Sequence, residues 1–310
     1  MPRRFDDLPE SIFGEIPSNL ARALENALAD SPIDTSVPHA ARVWNHWLGG
    51  KDTYPTDRHA GDLVADRIPG IIDAALHDRA FLGRAVHHAA QAGIAQFLDI
   101  GTGMPAVDNT HQIAQRTAVG ARTVYVDNDP LVLAHARALL TGTGDGVVDH
   151  IDADIRDTGT ILARAGRVLD FSRPVALMLL GVLSHLVDDA EARTAVNTFA
   201  DALAPGSHVV IAHPTAELHG DLLHDSLRLL MQMGAAPVVA RTPARIAAFF
   251  DGLDLLEPGV VSCSHWRPPL GLQAPAVLQY CGVARKPDRP SPRSAPQTRP
   301  IGRTLTTPQR

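Results

Sequence analysis

An apolar run that meets an acidic residue and then two closely spaced glycines, Gln96-Phe97-Leu98-Asp99-Ile100-Gly101-Thr102-Gly103, constrains this chain more than any other stretch. It predicts a buried strand followed by a sharp turn, the way a nucleotide-type cofactor site begins. Glycine lets the backbone turn tightly and approach a ligand where a Cβ would clash. A carboxylate just ahead of the turn accepts hydrogen bonds from an amine or hydroxyl and repels a pyrophosphate.

Two further strands end in the same chemistry. Arg122-Thr-Val-Tyr-Val-Asp127-Asn128-Asp129-Pro130 reads as a β-branched and aromatic strand closing on carboxylates, before a helix over 131–140. Asp127 suits the two hydroxyls of a ribose, whereas Asp129-Pro130 is a helix start, with Asp as N-cap and Pro at the first helical position. After a glycine-rich turn at 142–146, Asp149-His-Ile-Asp152-Ala-Asp154-Ile155-Arg156-Asp157 again reaches acidic residues at a strand end. Asp154 suits an adenine amine, with the next backbone N–H, that of Ile155, meeting a ring nitrogen. Each acid alone also fits a solvated turn; three at successive strand ends define one crevice at the carboxyl edge of a parallel sheet.

The remaining pattern predicts α/β architecture. Helices are expected over 16–28, 39–48 (ended by Gly49-Gly50), 56–65, 71–76 and 78–92 before the first strand. Beyond the third strand, 161–165 reads as a helix, and 175–183 as a strand buried on both faces. A helix at 190–203, a strand at 208–213, helices at 222–233 and 243–250, and two strands, 260–266 and 278–284, paired as an antiparallel hairpin, complete the order. The expected fold is a mostly parallel sheet with an antiparallel C-terminal edge, helices on both faces and a helical lid before it. With 310 residues, 45% hydrophobic and 20% charged, the chain has ample apolar material for one such domain.

Taken together, Ala41-Arg42-Val-Trp44-Asn45-His-Trp47-Leu48-Gly49-Gly50-Lys51-Asp52, Phe97-Leu-Asp99-Ile-Gly101-Thr102-Gly103, Asn109-Thr-His111 and Val124-Tyr-Val-Asp127-Asn128-Asp129-Pro130 make the chain resemble S-adenosylmethionine-dependent methyltransferases with a Rossmann-like fold. More narrowly it is similar to the DUF574-like family of uncharacterised actinobacterial-type members, over residues 38–287. The resemblance implies S-adenosylmethionine as cofactor, methyl transfer, and a lid over 38–95 on a core over 96–287. A helical extension (1–37) is expected before it, the Pro-, Arg-, Ser- and Thr-rich composition at the other end predicts a disordered tail (288–310), and the cytoplasm is the expected location. The resemblance also implies that Asp99, Gly101, Thr102, Gly103, Asn109, Asp127, Asn128, Asp154 and Ile155 line the cofactor site, although Asn109 and His111 equally suit capping of the next helix. It supplies no acceptor.

One departure from the common methyltransferase loop is Pro105, where a third glycine is usual; proline fixes φ and removes a donor. Gly101-x-Gly103-x-x-Ala106 also satisfies a dinucleotide fingerprint, so an NAD(P)-dependent oxidoreductase is the rival reading, opposed by Asp99 and Pro105. A non-catalytic S-adenosylmethionine-binding protein is the other.

A net charge of −6 gives no electrostatic case for nucleic acid, so a small-molecule substrate is expected. No signal peptide or membrane span is read from the sequence. The two cysteines fall in strand-like runs, and the fifteen histidines match no metal spacing, so no metal is expected. On the acceptor side the candidates are His185, Lys51 and Tyr54, with Asn45, Asp52 and Arg58 beside them. Ser184-His185 follows a buried strand, where His185 can orient or deprotonate an acceptor or simply lie at the surface beside a capping Ser184. Lys51 and Asp52 fit an exposed turn as well as a lid function, and Trp44 and Trp47 read as core residues rather than a sulfonium cage.

Overall fold

The apolar runs of the sequence become neighbouring strands of one sheet in the computed structural model, which describes residues 33–140, 146–272 and 274–288. The expected helix at 16–28, most of the glycine-rich turn and the tail after 288 lie outside the described residues. The strands are β1 (Gln96–Ile100), β2 (Arg122–Asp127), β3 (Val147–Asp152), β4 (Ala176–Leu180), β5 (His208–Pro214), β6 (Asp254–Leu255), β7 (Val261–Ser262) and β8 (Gln279–Arg285). Their order is β3-β2-β1-β4-β5-β8-β6, with β7 also on β8. The first five are parallel, and β8 runs antiparallel to β5, β6 and β7. The chain moves outward from β1 in one direction and then from β4 in the other. That reversal places the switch point, and the crevice it opens, at the carboxyl ends of β1 and β4.

Strand alternation divides the core in two. Phe97, Ala176, Met178, Val210 and Ala212 face one helical layer, while Leu98, Ile100, Leu177, Leu179, Val209 and Ile211 face the other. Such strands read as continuous apolar runs because both faces are covered. The first layer is α1 (Ala40–Trp47), α2 (Pro55–Arg67), α3 (Ile71–Gln91) and α4 (Thr110–Thr117); α5 (Pro130–Leu139) follows β2. The second includes α6 (Thr158–Ala165) and α7 (Asp189–Ala202), while α8 (Gly220–Gln232) and the short α9 (Pro243–Ala247) follow β5. Trp266, fully buried, meets Phe81 of α3 edge-on at 5.2 Å between ring centroids, an arrangement that adds about 0.5–1.5 kcal/mol beyond area burial.

Several expectations are corrected. The two helices anticipated at 71–76 and 78–92 are the single helix α3. His77 and Asp78 look like a polar break in the sequence, yet both are buried. Asp78 Oδ1 accepts a hydrogen bond from Gln279 Nε2 (3.2 Å), and burial pushes its carboxyl up to about 7 despite that donor, so near neutral pH the acid can take up a proton and sit inside the helix layer uncharged. The long strand expected over 175–183 stops at Leu180, where Gly181 (φ 79°) turns the chain into a 3₁₀ segment, Val182–His185. Of the expected hairpin, β7 is only two residues long, and β8 instead spends its whole length on β5. The helix expected over 243–250 is α9 followed by a 3₁₀ turn, Ala248–Phe250.

Candidate functional site

Gly101 and Gly103 both adopt left-handed φ, 74° and 66°, which side chains rarely tolerate, and they serve different ends. A Cβ on Gly101 would lie 2.5 Å from Val182 Cβ, so this glycine lets β1 and the turn after β4 touch. A Cβ on Gly103 would meet nothing within 4 Å, and the same is true of Gly181; these two glycines border open space at the switch point. Thr102 closes the turn between them, its hydroxyl donating to the carbonyls of Asp99 (3.2 Å) and Val126 (3.3 Å).

Asp127, at the end of β2, is tied to this loop. Its Oδ2 accepts from Gly103 N–H (2.9 Å) and its Oδ1 from Asp129 N–H (3.0 Å). Burial raises its pKa, opposed by those two donors. A carboxylate has about four lone-pair sites, so two remain for hydroxyl groups. Asp129 caps α5 through Leu131 N–H (2.8 Å), as its place before Pro130 implied. It also receives Arg42 Nε (3.1 Å) and lies 2.9 Å from His39 Nδ1. Burial pushes the Asp129 carboxyl up, but His39, Leu131 N–H and Arg42 leave it below the usual value.

Asp99 sits deeper, on the same face of the sheet and in register with Tyr125. Its Oδ2 accepts from Thr110 Oγ1 (2.6 Å), and burial raises its pKa to about 6 against the pull of Thr110 and Arg79. Asn109 is turned to the protein: it caps α4 reciprocally with Gln112, accepts from Ala106 N–H (3.0 Å) and is met by Arg79 (3.2 Å). Its side chain therefore shapes the loop. His111 exchanges hydrogen bonds with Tyr125, its backbone N–H donating to the phenol oxygen and its ring Nδ1 receiving the phenol proton, both at 2.9 Å; burial lowers its pKa to about 4, which keeps Nδ1 free to accept.

At the end of β3, Asp154 accepts from Arg156 N–H (2.8 Å) and from the Arg156 guanidinium (3.2 Å), with Asn128 Nδ2 at 3.4 Å. Ile155 beside it is buried in the second core layer. Arg156 goes on to donate to His185 O (2.9 Å) and Glu191 (3.0 Å), which brings the ends of β3 and β4 together. The His185 ring is half-buried rather than on the surface, and its Nδ1 lies 3.2 Å from Pro237 O. A carbonyl only accepts, so Nδ1 carries the proton and the neutral ring keeps its lone pair on Nε2. Burial lowers the His185 pKa, with Pro237 O opposing. Ser184 caps no helix; its hydroxyl donates to Gly181 O (2.6 Å) within the turn.

The segment before α2 lies over the glycine loop. Ile33, Ala41 and Tyr54 pack on Met104, Leu131 and Val132. Asn45 is buried and donates to Asp52 O (3.3 Å), while Arg58 donates to Thr53 O (2.7 Å) in an exposed turn with Lys51. Trp44 and Trp47 meet edge-on at 5.6 Å, and Trp47 Nε1 donates to Gly61 O (3.0 Å), a packing pair. Sequence reasoning passed over His39, Arg42, Arg79 and Arg156. Arg42 stood inside the motif segment, but nothing local marks a partner 87 residues away.

These features fit the methyl donor that the resemblance implies. Left-handed glycines beside open space give a cradle that a Cβ would fill, and carboxylates at three strand ends match hydroxyls and amines. A pyrophosphate fits poorly, because it would meet buried Asp99 and Asp127, and Pro105 has no N–H for it.

Comparison with known proteins agrees. The family described as S-adenosyl methyltransferase matches residues 26–287. A DUF574 family protein from Streptomyces avermitilis MA-4680 is 38% identical, with a TM-score of 0.79 over 83% of this chain and all of the other. A protein from Thermobifida fusca YX described as a putative methyltransferase is also 38% identical, with a TM-score of 0.75 over 82% of this chain and 97% of the other. No curated protein matches.

Proposed function

This chain belongs to the S-adenosyl methyltransferase family, and from that premise we propose which residues hold the donor and what kind of molecule it methylates. The activity is S-adenosylmethionine-dependent methyl transfer; a nicotinamide-dependent reaction is not favoured. We assign the cofactor site to Asp99, Thr102, Gly103, Asp127, Asn128, Asp154 and Ile155, with Gly101, packed on Val182, and Asn109 holding the loop from behind. The observation that carries this assignment is the Gly103–Asp127 hydrogen bond, which joins the open glycine to a carboxylate with unused acceptor sites.

When bound, the donor supplies a methyl group on a sulfonium, already activated for transfer. The chain therefore needs chiefly to align an acceptor and exclude water, and proximity provides much of the acceleration. His185, with Nδ1 held by Pro237 O, keeps Nε2 for an acceptor proton or hydroxyl. Tyr54 and Lys51 are the other acceptor-side candidates. The cover over the crevice is best drawn at residues 33–58, since α3 is part of the sheet's own packing, within a methyltransferase unit of 38–287.

A net charge of −6 and a crevice walled by carboxylates favour a small, neutral or cationic acceptor over nucleic acid. Among the described residues no helix is long and apolar enough to cross a membrane, and we place the enzyme in the cytoplasm. Calorimetric titration with S-adenosylhomocysteine, in parallel with NAD and NADP, tests the site: the first alone should bind, and Asp127→Ala should weaken it by roughly tenfold or more, the worth of a charged hydrogen bond. Equal affinity in the variant would remove Asp127 from the site. Once an acceptor is found, unchanged turnover in His185→Ala would remove His185 from the chemistry.

A further inference from the structure

Arg42 is almost completely buried between two buried carboxylates on different parts of the chain. Its Nε donates to Asp129 Oδ2 (3.1 Å), and its Nη1 lies 3.6 Å from Asp57 Oδ2 and donates to Asp34 O (3.2 Å). Its guanidinium also stacks over the Tyr54 ring, 5.4 Å from the centroid. Asp57 in turn accepts from the backbone N–H groups of His39 and Tyr54, both at 2.9 Å. One side chain thus gathers both ends of the segment that overlies the glycine loop and joins them to the start of α5.

Stability alone is a poor reason for such a hub. Buried ion pairs are often no better for stability than well-packed apolar residues of the same volume, and the Asp129 cap on α5 is complete without Arg42. What Arg42 adds is direction. It fixes Asp129, whose backbone N–H holds Asp127 Oδ1, while Gly103 N–H holds the other oxygen. We propose that Arg42 is a positioning residue, which acts through Asp129 to set the Asp127 carboxylate for the cofactor and ties the 33–58 segment to the cofactor site. This rests on the reading of Asp127 as a cofactor ligand. A guanidinium is suited to the task because its rigid fork serves two carboxylates and a carbonyl at fixed angles, which a lysine cannot do.

The test uses the full chain with Arg42→Gln, Asp129→Asn and the double variant. Asparagine caps a helix about as well as aspartate, so the second variant removes the ion pair and keeps α5 capped. Two readouts are taken, the Kd for S-adenosylhomocysteine by calorimetry and the hydrogen exchange of the Gly103 and Asp129 amides against those of β4 and β5. Expected are a Kd raised roughly tenfold in each single variant, the double no weaker than either, and faster exchange confined to Gly103, Asp129 and the 33–58 segment. A Kd within about twofold of wild type in folded Asp129→Asn overturns the proposal. So does exchange that rises uniformly across the sheet in both single variants, because the network is then a folding element only. If wild type itself fails to bind S-adenosylhomocysteine, the cofactor reading falls, while exchange at Gly103 and Asp129 still decides whether Arg42 positions Asp127.

Discussion

Alanine at Gly101 and alanine at Gly103 should do different things, although the two glycines are separated by one residue and share a left-handed conformation. The backbone strain is common to both, about 1–2 kcal/mol for a Cβ in that region. At Gly101 the added methyl must also share space with the Val182 side chain, 2.5 Å from its Cβ and 2.7 Å from its Cγ2, and overpacking of that kind costs about 1–3 kcal/mol. Gly101→Ala should therefore lose about 2–5 kcal/mol of stability in all, which at about 2–4 °C per kcal/mol lowers Tm by roughly 4–20 °C. Gly103→Ala should lose only the strain, roughly 2–8 °C, but its methyl enters the open space beside Asp127 and should weaken S-adenosylhomocysteine binding by about tenfold or more. Thermal melts with calorimetric titration of both variants measure the split, and Val182→Ala should restore part of the stability lost in Gly101→Ala. Equal stability loss in the two variants, or wild-type affinity in Gly103→Ala, would refute the assignment of one glycine to packing and the other to ligand.

Three further predictions concern buried charge. Asp99 and Asp78 have folded pKa values raised to about 6 and about 7, so the folded protein holds protons there that the unfolded chain releases from about pH 4 upward. Their contribution to stability is full below about pH 4 and lost as pH rises through about 6 to 7. Asp78→Asn should flatten that slope in urea titrations across this window, and an unchanged slope would contradict the buried-acid reading. Affinity for S-adenosylhomocysteine should run the other way, falling below about pH 6 as Asp99 loses the charge that balances the ligand's amine, with Asp99→Asn abolishing the dependence. Arg241 is completely buried, paired with Asp189 (2.7 Å), and donates to Leu183 O (3.0 Å) and to His213 Nε2 (2.7 Å). Because Asp189 keeps Arg245, Arg241→Met strands neutral acceptors rather than a charge. It should cost about 1–3 kcal/mol for each buried acceptor left without its donor and loosen the 182–185 turn, read as faster hydrogen exchange there; a melt within a degree or two of wild type would count against it.

The parts of the candidate site that were legible in the sequence are those whose chemistry is local. Asp99, Gly101, Gly103 and Asp127 stand at strand ends, and a strand end is visible from a run of a few residues. Asp129-Pro130 announced a cap, and the structure has that cap. The illegible parts depend on partners distant in the chain. Arg42 meets Asp129 across 87 residues. Asp78 is tolerated inside α3 because Gln279 donates to it from the last strand. The Val175-to-Leu183 run looked like one long strand because hydropathy does not register the single left-handed glycine, Gly181, that ends it and opens the crevice.

The position of β8 governs how this protein can be made. The last strand among the described residues pairs with β5 along its whole length and with both β6 and β7 on its other side. Its Cys281 and Val283 fill the same core layer as Phe81, Ala85 and Trp266. While the chain is emerging from a ribosome, β5 presents an unpaired edge, and the apolar face of α3 has no floor on that side until residue 285 is free. Such an edge is a template for association with other chains. Synthesis halted in the β7–β8 loop would leave a nearly complete sheet that is prone to aggregate, and the final strand acts as the release step from that hazard.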